Sequence, residues 1–415
     1  MNYLIRTLFT IFTRISLFCG FSISMYAQNN TQALGSYSNY SNYGETKIVV
    51  VESEVFKTRR SCFVKLPAEY DRTTVAYPTL YILDAADRLK FEAYCQTIDN
   101  LVENEAMPPV IIIGVLGSEG KKNYDFTPVS TNPKHKNYGG ASDFLRFLRT
   151  DLLPFIDGSY RTSNYRILIG HSFAGLFATY ALVQQPDMFQ HVIAVSPTMW
   201  YNDGIFIEKV DSFAKKCRAP HSFFFAVGDE GDTEVSLRPS VMQLYDRLKL
   251  RNCPPFHWQF LELHDKNHRI TPIFAVPEAL CATFKAWKIS AITQKAIEKK
   301  TGDPLTLLEQ HADFRKKQYG LVFDWSANDY VYYLVLPYLD AKNELQAKAI
   351  LKEALLLYPK SSLLLECLGD LNVLQGDFEQ AKTSYEAALN NLTARESGFK
   401  SELKEKIAFV ATKLK

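Results

Sequence analysis

The residues best placed to do chemistry lie in the stretch 166–175, RILIGHSFAG. Ile167, Leu168 and Ile169 form an apolar run of strand length, and the LFATYALVQQP that follows reads as a helix. Ser172 stands between them at the apex of a turn, with Gly170 two residues before it and Ala174 two after. Strand, tight turn, serine and helix together make the context of a nucleophile elbow. Such a turn lifts the hydroxyl clear of the sheet and leaves no room for bulk at the two flanking positions. The helix behind it aims backbone N–H groups and a partial positive charge at the place where an oxyanion would form. The usual spacing is G-x-S-x-G; here Ala174 replaces the second glycine and Gly175 follows it.

A serine hydroxyl is a weak nucleophile at neutral pH and needs a base, which in turn needs an orienting group. In this arrangement the chain order is serine, acid, histidine. His135, His171 and His191 come too early, His221 and His257 fall in strands, and His311 lies in a helical region. His264 and His268 remain, both in LELHDKNHRITP after the last strand. His268 lies deeper in that loop and is the expected base, with His264 read as a strand-end surface residue. The acid is expected after the strand 223–228. There Asp229, Glu230, Asp232 and Glu234 crowd into six residues, and chemistry alone does not choose among them.

The elements that must position these groups are legible in the pattern. Strands are expected at 47–55, 59–66, 78–84, 109–116, around 167–169, and at 191–196, 222–227 and 257–263. Helices are expected at 91–105, 141–156 (with Ser142 as its cap), 205–216, 238–250 and 277–288. The wholly apolar PVIIIGVL fits a parallel strand covered on both faces. Alternation of strands and helices predicts an α/β fold, a mostly parallel sheet with helices on both faces, and the elbow specifies an α/β-hydrolase fold over 47–288. From 289 to 415 strands vanish. Leu365, Leu368, Gly369, Gly376, Ala381, Tyr385 and Ala388 match a tetratricopeptide pattern. Ala347, Leu351, Ala354 and Pro359 match the second helix of a preceding repeat, 34 residues earlier.

Residues 1–27 carry Arg6, Arg14, no acid and an apolar stretch from Ile15 to Tyr26, and read as a secretory signal peptide cleaved after Ala27. The dozen apolar residues after Arg14 fall short of the ~20 that span a bilayer, so no membrane span is expected after cleavage. The polar segment 28–46 reads as a flexible leader. Without residues 1–27 the formal net charge is zero, which gives no support to nucleic-acid binding. Six cysteines remain beyond the leader, with no zinc-motif spacing, and Cys217 and Cys253 are a candidate disulfide. An exported chain, periplasmic or secreted, with no metal and no organic cofactor is the expectation.

The motifs YPTLYILDA, RTSNYRILIGHSFAGLFATYAL with AVSPTMWY behind it, and VGDEGDTE followed by LHDKNH resemble those of the putative-esterase branch of the α/β-hydrolases. That branch includes enterobactin esterases, S-formylglutathione hydrolases, feruloyl esterases and mycolyltransferases. The chain is most similar to siderophore-trilactone esterases, some of which carry tetratricopeptide extensions. The resemblance implies Glu234 as the acid, six residues after the strand-terminal Gly228, although some siderophore esterases work with a Ser-His dyad. It implies an oxyanion hole of the Phe173 and Ala86 amides, with Ala85 standing where the family motif has glycine. The aromatic-bearing segments 117–140 and 198–205 are expected to line the pocket, with Trp200 and Tyr201 as candidates to touch the acyl or alcohol group and a core role as the alternative for Trp200. The function so implied is exported carboxylic ester hydrolysis through an acyl-enzyme, on siderophore-type lactones. The alternatives are a feruloyl or acetyl esterase on polysaccharide esters, an acyltransferase, or an inactive hydrolase-fold binding protein with a tetratricopeptide scaffold and a protein partner.

Overall fold

The computed structural model describes residues 41–414 except 119, 131, 133, 134, 136, 137, 217–220, 252–255 and 320–324. The expected signal peptide, most of the leader, and Cys217 and Cys253 lie outside the described residues. Among the described residues eight strands form one sheet: β1 Lys47–Ser53, β2 Thr58–Lys65, β3 Tyr77–Leu83, β4 Ile111–Val115, β5 Thr162–His171, β6 His191–Val195, β7 His221–Glu230 and β8 Phe256–Asn267. Their order is β1-β2-β4-β3-β5-β6-β7-β8. The β1–β2 and β2–β4 pairs are antiparallel, and every other pair is parallel.

Side-chain alternation along the central strands sorts the core into two layers. Tyr81, Ile113 and Leu168 point to one face, where the helices Phe173–Gln184, Ile205–Lys216 and Gly231–Lys249 and the helical segment 141–159 pack. Leu80, Ile82, Ile112, Ile167 and Ile169 point to the other, against Arg88–Glu103 and Thr271–Thr283. Covering both faces is what a parallel sheet requires and why these strands read as continuous apolar runs. The helix Phe173–Gln184 is buried on nearly every side, as its apolar composition demands.

Three helix boundaries differ from expectation. The helix expected from 238 begins at Gly231, with Pro239 inside it. Asp232 and Glu234 sit in its first turn, where carboxylates complement the helix dipole. The helix expected from 277 begins at Thr271, with Pro272 in its first turn and Pro277 inside; of two prolines, the earlier is the one preorganised for a helix start. The helix expected over 141–156 continues to Ser159 through a π-helical segment, Leu148–Leu152. Its cap position is Gly140, and Ser142 lies within the helix.

From Ala291 onward the described residues are helical, ending with Lys400–Lys413. The helices Ser362–Leu374 and Phe378–Asn390 meet where Gly369 faces Tyr385. A Cβ at Gly369 would lie 2.4 Å from that ring. This helical region contacts the sheet's lower edge, where the parallel strands begin. Thr74, just ahead of β3, donates from its backbone N to Leu357 O at 2.9 Å. Arg72 donates from Nη2 to Lys360 O at 2.7 Å and Asn391 O at 2.6 Å. Among the described residues, no helix is long and apolar enough to cross a membrane.

Candidate active site

The site lies at the opposite, upper edge, where β3, β5, β6 and β7 end. β5 delivers Ser172 directly, and the serine adopts φ 62°, ψ −123°. Non-glycine residues in such regions cost about 1–3 kcal/mol and persist only where the surroundings impose them. Here the imposition is visible. Ser172 N donates to Val195 O at 3.0 Å, and Ser172 O accepts from Leu176 N at 3.0 Å and from Thr198 N at 3.3 Å. Gly170 is required, because a Cβ there would stand 2.0 Å from Ala174 O. Gly175 lets the helix approach β6, where a Cβ would come within 3.1 Å of Pro197 Cα and Val195 O.

β7 and β8 run long and carry the histidines and carboxylates past the sheet edge. His268 sits in the short turn between β8 and the helix Thr271–Thr283. Its Nδ1 lies 3.2 Å from Glu234 Oε2. Glu234 has no exposed surface. Its Oε1 accepts from the Ser196 hydroxyl and from Gly228 N, the latter at 3.1 Å. Burial alone would raise the Glu234 carboxyl. Hydrogen bonds from His268, Ser196, Gly228 and Thr271 outweigh it and hold the group below its ordinary value, hence ionised. An ionised acceptor at Nδ1 puts that nitrogen's proton toward Glu234 and leaves Nε2 free to act as a base.

The other three carboxylates are disposed differently. Asp229 accepts at Oδ2 from His264 Nδ1 at 2.8 Å, and at Oδ1 from Asp265 N at 2.8 Å. That hydrogen bond with His264 lowers the Asp229 carboxyl and raises the His264 imidazole. The His264 side chain is 73% exposed. Glu230 and Asp232 are exposed. Of the two expected histidine candidates and four carboxylates, only His268 and Glu234 form a pair whose carboxylate is fully buried and whose imidazole is half-buried.

Phe173 N begins the helix behind the serine, and Ala86 follows the end of β3 on the exposed side. Asp84 takes the left-handed conformation in that turn, φ 57°, while Ala85 is absent from the positive-φ residues. The turn therefore accommodates alanine where the related motif carries glycine. Ala85 N donates to Val115 O at 3.2 Å. No hydrogen bond joins the Ser172 hydroxyl to His268 among the described residues; catalytic contacts of this kind often tighten only when substrate is bound.

An aromatic wall flanks the serine. The Trp200 ring is 6.4 Å from Phe173 and 42% exposed. Tyr201 is fully buried, its hydroxyl bonded to Pro128 O at 2.9 Å and its ring stacked on His135 at 4.7 Å. Of the expected substrate-contacting pair, Trp200 presents surface and Tyr201 supports the wall from behind. Sequence reasoning missed Ser196 and Thr271 as partners of Glu234. It also missed His171, whose ring lies 4.3 Å from that of His268. The one local signal was the Ser-Pro that ends β6, where Ser196 is held at φ 44°.

Residues 53–227 match the Putative esterase family. Ferri-bacillibactin esterase BesA of Bacillus subtilis is 26% identical over 265 residues, covering 59% of this chain and 91% of that protein. An IroE-like serine hydrolase from Shewanella oneidensis shares the fold with a TM-score of 0.61 at 20% identity, covering 75% of this chain and 99% of that one. A structure from Capnocytophaga ochracea reaches a TM-score of 0.58 at 16% identity and covers 89% of this chain and all of its own. Over residues 53–227 the chain is thus similar to members of the Putative esterase family, and with the siderophore-esterase relatives this marks it as a carboxylic ester hydrolase.

Proposed function

We propose that the chain hydrolyses carboxylic esters through a Ser172 acyl-enzyme. His268 Nε2 takes the Ser172 proton as Oγ adds to the ester carbonyl carbon. Glu234 orients the imidazole and stabilises the imidazolium that forms. The oxyanion receives hydrogen bonds from the Phe173 and Ala86 amides. The tetrahedral adduct collapses, the alcohol leaves with the proton from His268, and water repeats the sequence to release the acid. The observation that carries this reading is the buried, ionised Glu234 bonded to a histidine at the same sheet edge as a strained, half-buried serine. Its test is Ser172→Ala, which is expected to lose at least ~10⁴-fold in kcat on p-nitrophenyl butyrate with the fold intact. Near-normal turnover would remove Ser172 as the nucleophile.

For substrate we propose a siderophore-type lactone, because the relative matched over most of its length is a ferri-bacillibactin esterase. Hydrolysis of ferric triscatecholate lactones, measured beside methyl ferulate, separates this from an esterase acting on polysaccharide esters. The signal-like composition of residues 1–27 supports export, and determining the amino terminus of the cell-derived protein tests it. The change from strands to helices supports a hydrolase domain over 47–288 and a helical extension over 289–415. In this reading the extension is tetratricopeptide-like, and its outward face offers a protein-binding surface remote from the chemistry.

A further inference from the structure

The proposed mechanism leaves two side chains beside the nucleophile unused. His171 is the last residue of β5, immediately before Ser172, and Lys90 lies in the first turn of the helix Arg88–Glu103. The geometry points to Lys90 and His171 as a positioning pair that holds the catalytic imidazole of His268, an assignment that rests on the base role given to His268 above.

Lys90 Nζ lies 3.0 Å from His171 Nδ1. An ammonium group can only donate, so Nδ1 accepts and the His171 ring is neutral with its proton on Nε2. That ring lies across His268 at a centroid distance of 4.3 Å and a tilt of 36°. Both backbones that set this geometry are fixed. His171 is paired with Val195 in the sheet. Lys90 N donates to the capping Asp87 Oδ1 at 3.1 Å, which anchors the helix turn carrying Lys90.

His268 is therefore restrained twice. Glu234 holds its edge through Nδ1, which leaves rotation about that bond open. The His171 ring closes that freedom by packing on the imidazole face, which in the base role proposed above keeps Nε2 available to the Ser172 hydroxyl. The charge state of the packing ring matters. When His268 takes the serine proton it becomes a cation, and a protonated His171 would set a second positive charge 4.3 Å away. The bond from Lys90 occupies the nitrogen that protonation would need. Lys90, from its helix, and His268, with Glu234 behind it, both face the His171 ring. Lys90 bonds directly to the ring.

Steady-state kinetics of the full chain on p-nitrophenyl butyrate from pH 6 to 8 test this, with circular dichroism to confirm folding. His171→Ala is expected to lower kcat about tenfold or more with KM changed less than twofold, as for a misplaced catalytic group. His171→Phe, which restores a flat ring that cannot protonate, recovers most of that loss. Lys90→Met is expected to fall progressively further below wild type as pH drops through about 6.5, where an unconstrained histidine protonates. Adding His171→Phe to Lys90→Met abolishes this extra pH dependence. Should His171→Ala not fold, the Lys90→Met and double variants carry the test. Wild-type kcat in His171→Ala, or a pH-independent ratio of Lys90→Met to wild type, overturns the pairing. His268→Ala run alongside separates the two readings. If it is inactive while the Lys90 and His171 variants behave as wild type, only the positioning pair fails. If it is active, the base role fails and the pair with it.

Discussion

Two histidine–carboxylate pairs stand at the ends of β7 and β8, and they have opposite characters. His264 bonds to Asp229 in open solvent. His268, four residues on, bonds to Glu234, which has no exposed surface and accepts from Ser196 and Gly228 as well. The side-chain chemistry is the same in both. What differs is the surroundings. An exposed pair is screened and contributes little. A carboxylate fixed by several donors in a dry site keeps its charge and direction while the partner histidine gains and loses a proton. A histidine beside an acid is thus a poor marker of catalysis until the acid's other contacts are known.

The comparison breaks first at the buried pair. His268→Ala is expected to cost nearly as much activity as loss of Ser172. Glu234→Gln is expected to cost ~10²–10⁴-fold, the range for losing the orienting acid of such a triad. Because the folded Glu234 carboxyl is held below its ordinary value, its charge contributes stability above the ordinary carboxylate range. That contribution is lost as pH falls through the lowered folded value. Acid unfolding of Glu234→Gln is accordingly expected to be less steep than that of wild type over that window, as followed by circular dichroism. A wild-type rate in Glu234→Gln would leave Ser172 and His268 working as a dyad.

Gly228→Ala is the next sharpest probe, since it attacks the packing around Glu234 and leaves every ionisable group in place. A Cβ there would sit 2.1 Å from Lys266 O and 3.1 Å from Glu234 Oε1. Displacement of the β7–β8 ends is expected to destabilise the fold by about 1–3 kcal/mol and to lower kcat. A variant that keeps both stability and rate would show that this edge tolerates rearrangement. At the exposed pair, His264→Ala and Asp229→Asn are each expected to change kcat/KM less than about twofold. A large loss at either would move the base or acid role to that pair.

The two ends of the sheet make a second contrast. The upper edge carries strain and ionisable groups. The lower edge carries the contacts to the helical region, through Thr74, Arg72 and the packing of Leu357 and Tyr358 on the sheet core. Arg72→Ala removes donors to Lys360 O and Asn391 O and is expected to cost about 1–3 kcal/mol of stability, read as a lower thermal midpoint. Its kcat/KM on a small ester is expected to remain within about twofold of wild type. A tenfold loss of activity would couple the lower edge to the chemistry.

The elbow was legible because its determinants are local: a strand-length apolar run, Gly170, Ser172 and a helix within about 20 residues. The parallel sheet was legible for the same reason, through runs such as PVIIIGVL. The acid was not. Four carboxylates in six residues look alike in sequence, and what distinguishes Glu234 is burial by Ser196, 38 residues away, and by Thr271. Two helix starts were misplaced because Pro239 and Pro277 lie inside helices, whereas proline is most at home in a first turn. The His171–Lys90 contact spans 81 residues, and no local pattern announces it.

The central claim is most directly tested by the rate and site of fluorophosphonate labelling, with the modified residue located by peptide mapping. The label is expected on Ser172. Its rate is expected to collapse in His268→Ala, fall strongly in Glu234→Gln and stay at wild-type level in His264→Ala and Asp229→Asn. A label on another residue, or wild-type labelling of Ser172 in His268→Ala, would contradict the account.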